Sequence, residues 1–120
     1  MTTILHMALP EDWEAAQATG SHTASTRGLT IAEQGFLHAS YDADQTLRVH
    51  AGFYADRPDV IITELDVDAL ADAGLTVRPE PGNPSDPESE RFPHVYGGEI
   101  PVSLMTVRPG GLEALRAEFG

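Results

Sequence analysis

The residues of this chain best suited to chemistry are its five histidines. A neutral imidazole can accept a proton, donate one or bind a metal near neutral pH. Three of them, His6, His38 and His94, sit in apolar, strand-like stretches: Ile4-Leu5-His6, Gly35-Phe36-Leu37-His38-Ala39-Ser40 and Phe92-Pro93-His94-Val95-Tyr96-Gly97. An imidazole removed from water needs partners for its ring nitrogens. Three such residues in a small chain therefore point to one shared polar pocket. His22 and His50 fall in polar or helical surroundings and are expected at the surface. Ser40 adds a hydroxyl beside His38, Tyr96 a ring for stacking beside His94, and Glu99 a carboxylate past the next turn. Tyr41, Tyr54 and Arg91 are further candidates, with core packing the plainer role for Tyr54.

Three histidines could also hold zinc and leave one position for water. None are paired at i, i+4 or at close strand spacing, so the site is read without a metal, and a histidine metal site is the alternative. His38-Ala39-Ser40 is half of a paired His-x-Ser/Thr phosphoesterase pattern, but His94-Val95-Tyr96 lacks the matching Ser or Thr. No Gly-x-Ser-x-Gly elbow, Gly-x-Gly-x-x-Gly turn or phosphate-binding loop occurs. Lysine is absent, which excludes Schiff-base chemistry. Cysteine is absent, which excludes disulfides and thiolate metal sites.

The 19 acids outweigh 7 bases, all arginine, for a net charge of −12. That surface repels polyanions and argues against a nucleic-acid partner. No apolar run is long enough to span a membrane, and the N-terminus lacks the pattern of a signal peptide, so the expected location is cytoplasmic. The 120 residues suit a single domain, 1–120, with one core.

Elements must position these side chains. Thr3 to Ala8 reads as a first strand, followed by a helix that begins at Pro10, with Gly20 just past its end and Trp13 on its buried face. Ser21 to Arg27 reads as a surface strand or loop. Thr30-Ile31-Ala32-Glu33 has capping-box spacing, with Gly35 as the stop. Phe36 to Ser40 is a strand, and Asp42 caps a helix to about Tyr54. Val60 to Leu65 is the strongest strand and is expected to be central. A short helix capped by Asp66 or Asp68 and a strand from Leu75 to Arg78 follow. Pro79 to Pro93, with five prolines, reads as a long irregular loop. A turn at Gly97-Gly98, a strand ending near Val107 and a helix from Gly111 with Leu112, Leu115 and Phe119 on one face complete the chain. The interleaving lacks regular βαβ spacing, so the fold class is α+β.

The first strand with His6, the Trp13 helix, Gly35-Phe36-Leu37-His38-x-Ser40 and Phe92-Pro93-His94-Val95-Tyr96-Gly97 together resemble the small bacterial family known as domain of unknown function 952. The likeness runs from about Ile4 to Arg108. Cysteine often stands between the matching His and Ser in that family; here the residue is Ala39, and no thiol chemistry carries over. The family is in turn similar to the ADP-ribosyltransferase fold, particularly the NAD-dependent RNA 2′-phosphotransferases, over Phe36 to Leu70 and around Glu99-Ile100-Pro101. The resemblance implies an ADP-ribosyltransferase-like split β-sheet core with short flanking helices and a cleft for NAD or a related nucleotide. By that likeness His6 would bond a ribose hydroxyl, His38 and Ser40 would line the nicotinamide end, and His94 would lie in the same cleft. Tyr96 would stack on the ring, and Glu99 is the nearest match to the glutamate that steadies a ribosyl cation. The implied activity is ADP-ribosyl transfer or NAD glycohydrolysis; the alternative is a non-catalytic nucleotide or small-molecule binding module. The arginine cluster of the RNA enzymes has no counterpart here.

Overall fold

In the computed structural model, which describes residues 2–119 apart from the side chain of Phe119, ten strands alternate with five helices. They run β1 (Thr3–Ala8), α1 (Pro10–Thr19), β2 (Ser21–His22), β3 (Ala24–Thr26), β4 (Leu29–Thr30), α2 (Ile31–Gln34), β5 (Leu37–His38) and α3 (Ala43–Phe53). Then come β6 (Ile61–Asp66), α4 (Val67–Asp72), β7 (Thr76–Pro81), β8 (Arg91–Tyr96), β9 (Ile100–Pro101), β10 (Thr106–Val107) and α5 (Gly111–Phe119). A single 3-10 turn, Val102–Leu104, precedes β10. The architecture is mixed α+β, with several small antiparallel sheets and short helices.

Two three-stranded sheets carry the molecule. One has the order β1-β6-β10 and the other β5-β8-β7. Leu5 of β1 and Ser40, just past β5, exchange two backbone hydrogen bonds of 2.8 Å and tie the sheets together. β6 is central, as the apolar run Val60-Ile61-Ile62 that opens it implies, with Ile62 and Leu65 fully buried. Two apolar clusters fill the interior. Ile4, Trp13, Leu37, Leu65, Val95 and Ile100 belong to one; Leu5, Tyr54, Ile62, Leu112 and Leu115 belong to the other.

Local chemistry explains the helix ends. Thr30 and Glu33 form a reciprocal capping box, with the Glu33 amide donating to Thr30 Oγ1 at 3.1 Å and the Thr30 amide to Glu33 Oε1 at 3.0 Å. Asp42 caps α3 by accepting from the Gln45 amide at 2.9 Å. Asp66, rather than Asp68, caps α4. The side chain of Phe119, expected on the buried face of α5, lies outside the described residues. No helix among the described residues is long and apolar enough to cross a membrane.

The long loop expected from Pro79 to Pro93 is mostly a hairpin. β7 runs through Pro79 and Pro81, and β8 begins at Arg91. Along an edge strand, amides of one parity face the neighbour and those of the other face solvent. Gly82 N donates to Glu90 O at 2.8 Å, which puts residues 79 and 81 in the outward set. Their missing amides cost the ladder nothing. Ser21 to Arg27 also departs from its expected surface place: His22 and Ser25 are buried.

Leu37 is fully buried on the core face of β5. Leu37→Ala is expected to lower unfolding free energy by about 2–5 kcal/mol, the range for a leucine deleted from a packed core. A urea titration measures it, and a loss below about 1 kcal/mol would contradict this packing.

Candidate functional site

The β5-β8-β7 sheet has two chemically different faces, set by the two-residue repeat of strands. Leu37, Val77 and Val95 turn toward the core. His38 stands opposite His94, and Arg78 stands opposite His94 from the other side. Thr76 faces Tyr96, and Glu80 faces Phe92. The outer face therefore gathers Phe36, His38, Phe92, His94, Tyr96, Arg78 and Glu80. A cleft of about 430 Å³ lies over it, lined by Gln34, Phe36, His38, His94, Tyr96 and Glu80, with residues 81, 82 and 84 at its edge.

Rings dominate this cleft. Phe36 and His94 stack in parallel, 3.9 Å between centroids and 9° between planes. The His38 ring lies 5.4 Å from His94 and 5.1 Å from Phe92. The Arg78 guanidinium lies over the Tyr96 ring, 5.0 Å from its centroid. Glu80 accepts from His94 Nδ1 at 3.0 Å and from the Tyr96 hydroxyl. That bond from Nδ1 leaves Nε2 as the free nitrogen of His94. The Tyr96 bond, with help from His94, holds the Glu80 carboxyl below its usual range; the same bond pushes the Tyr96 phenol up. Burial, reinforced by His94, lowers His38 to about 4, so it is a neutral imidazole at pH 7. Among the described residues neither ring nitrogen of His38 has a hydrogen-bond partner. The arrangement offers a neutral base in His38, an oriented imidazole in His94 and a fixed carboxylate in Glu80.

His6 is not part of this surface. Its Nδ1 donates to the His38 carbonyl at 2.7 Å, which leaves Nε2 as the acceptor of a 3.1 Å bond from His22 Nε2. Both rings are buried. His22 Nδ1 then carries no proton and makes no well-aligned hydrogen bond, although the Ala24 backbone lies close enough to favour the charged ring weakly. Burial, with the neighbouring His22, lowers His6 to about 3; burial lowers His22 as well. The expected pocket of His6, His38 and His94 is thus two pairs, His38–His94 in the cleft and His6–His22 behind the strand. His22 and His50, expected at the surface, are buried; His50 Nε2 bonds the Arg57 carbonyl at 3.0 Å.

The other candidates separate. Ser40 is buried and spends its backbone on the bridge to Leu5; it does not line the cleft. Glu99 lines a different cavity of about 400 Å³ with Thr23, Thr30, Ile31 and Gly98. Tyr41 is exposed, and Tyr54 is a core residue whose hydroxyl accepts from the Arg27 amide at 2.8 Å. Arg91 reaches only backbone carbonyls. Among the described residues no three His, Asp or Glu side chains lie together in a group that could hold a metal ion. Glu80 was hidden by the prolines on either side of it. The signal that would have found it is the alternation Thr76, Arg78, Glu80 about Val77.

Comparison with known proteins agrees with the resemblance at family level. Protein CC0527 from Caulobacter crescentus, known from a crystal structure, superposes with a TM-score of 0.66 at 23% identity, covering 88% of this chain and 82% of that one. A double methionine variant of the same protein gives 0.67 at 19% identity, covering 96% and 99%. At those identities the likeness shows the fold alone. The family model described as Protein of unknown function (DUF952) matches residues 7–108, and the chain belongs to that family. No curated protein matches it.

Two predictions follow from the charges. The unfolded chain binds protons at His6 and His38 near the ordinary value of 6.5, while the folded values are about 3 and about 4. Their stabilising effect is complete above pH 6.5 and is lost as pH falls through that window, at up to about 1.4 kcal/mol per unit of depression. Urea midpoints should therefore drop between pH 7 and pH 5, above the range where carboxylates titrate; a flat profile there would refute this. Glu80→Gln removes the acceptor charge at Tyr96. The phenol should then ionise at lower pH than in the parent, read as phenolate absorbance in a difference titration.

Proposed function

We propose that this chain is an ADP-ribosyltransferase-like domain that binds NAD or a related nucleotide in the cleft over His38, His94 and Tyr96. The observation that carries the reading is His38. It is a half-buried neutral imidazole at the centre of a ring-lined cleft, with both ring nitrogens left without protein partners. A bound ligand that supplies a hydrogen bond there would offset the desolvation of the ring. A nicotinamide-type ring matches the surroundings: flat aromatic walls, hydrogen-bonding imidazoles and the Arg78 guanidinium beside Tyr96 for a phosphate. In this reading His6 has no contact with the ribose. It holds the backbone of His38 from behind.

If the domain also breaks the bond to nicotinamide, Glu80 is the carboxylate in place to steady a ribosyl cation, and His38 the base for the attacking hydroxyl or water. Glu99, in its separate cavity, takes no part. The place of Glu99 favours a second reading, a non-catalytic module that binds the same ligand without chemistry.

At a hundredfold excess over its Kd, NAD should stabilise the fold by about 2.7 kcal/mol. The melting temperature should rise with NAD, and His38→Ala should abolish the rise. No shift with NAD, ADP-ribose or nicotinamide at millimolar concentration would end the proposal. Nicotinamide release from NAD, lost in Glu80→Gln, selects the catalytic reading; binding without release selects the module.

A further inference from the structure

The cleft does not end at His38. A second chamber of about 370 Å³ adjoins it, walled by Thr26, Arg27, Val49, Phe53 and Phe92. Gln34, His38 and Gly82 line both chambers. We infer that the second chamber is a subsite for a flat, uncharged heteroaromatic ring, the second base of a dinucleotide bent around His38. This rests on the nucleotide reading above and assigns the second ring of the ligand its own place in the structure.

Three observations support it. Phe53 is 71% exposed, the most of any large apolar side chain among the described residues, and it faces this chamber. A ring laid against Phe53 and Phe92 would cover apolar surface that nothing among the described residues covers. The wall is also held in place. Arg27 Nη1 donates to the Phe53 carbonyl at 3.1 Å, its guanidinium is clamped by Asp56, and Thr26 Oγ1 lies 3.1 Å from the Tyr54 hydroxyl. With Arg27 committed to Asp56, the chamber suits an uncharged base better than a phosphate.

The passage between the chambers supplies the third. A Cβ on Gly82 would meet Phe92 Cε1 at 2.6 Å. The glycine is required by space rather than by a positive φ: the Phe92 ring packs on its bare Cα at the point the two chambers share.

The test is calorimetric titration of the whole chain with NAD and with nicotinamide mononucleotide, which carries one ring. Phe53→Ala should raise the Kd for NAD about tenfold, equivalent to about 1.4 kcal/mol, and leave that for the mononucleotide within about twofold. Gly82→Ala, whose Cβ displaces the Phe92 ring from its place in the wall of the second chamber, should show the same selectivity. Melting curves of both variants without ligand establish that they fold. Equal loss for both ligands, no loss for NAD, or a parent that binds NAD no more tightly than the mononucleotide overturns the second subsite and leaves the nucleotide reading standing. A parent that binds neither overturns that reading and this one with it.

Discussion

Two backbone hydrogen bonds between Leu5 and Ser40 join what would otherwise be separate sheets. Each sheet has only three strands; β1 and β6 place alternate residues in the two apolar clusters, with Ile4 and Leu65 in one and Leu5 and Ile62 in the other. The bridge sets β1 beside the end of β5 and brings His6 within reach of the His38 carbonyl. A residue that looks like a cleft group in sequence becomes a strut. Its ring is buried, and its two nitrogens are satisfied by a carbonyl and by His22. The strand that presents His38 is thereby held on one side by a buried imidazole and on the other by β8.

That support matters because β5 is only two residues long. A strand this short does not fix its own direction. Its amide at His38 is held by the Ser25 hydroxyl at 3.1 Å, and Ser25 in turn donates to Gln34, which lines the cleft. On the far side, Gln45 of α3 donates to the Arg91 carbonyl and to Glu90, and Arg48 forms a paired contact with Glu90. These contacts fasten the loop end of the β7–β8 hairpin to a helix. The cleft surface is thus rigid at both ends, which suits the recognition of a preformed shape.

Much of the scaffold could be read from the chain. The capping box at Thr30, the Asp42 cap and the apolar run from Val60 are local signals, and each appears where local physics puts it. His38, His94 and Tyr96 were legible because an imidazole or phenol in an apolar alternating stretch is itself unusual. What could not be read depends on partners distant in sequence. Prolines 79 and 81 look like loop residues until an edge position makes their missing amides harmless. Glu80 was lost with them. His22 and His50 have polar neighbours in sequence, yet His6 and the Arg57 carbonyl meet them in space and make burial affordable. Ion pairs show the same limit: Arg57 pairs with Glu11, 46 residues away in the chain, as well as with nearby Asp59.

The direct opposition of His38 and His94 has a consequence for how this chain can change length. Side chains alternate along β8, so one inserted or deleted residue between 91 and 96 would exchange the faces of Pro93 and Val95 with those of His94 and Tyr96. The segment from 83 to 89 is different. It is closed at its neck by the Gly82–Glu90 bond and exposed along nearly all its length. Lengthening or shortening there leaves the pairing of the strands below it untouched. Descendants of this sequence are free to vary the brim of the cleft while its floor keeps a fixed count.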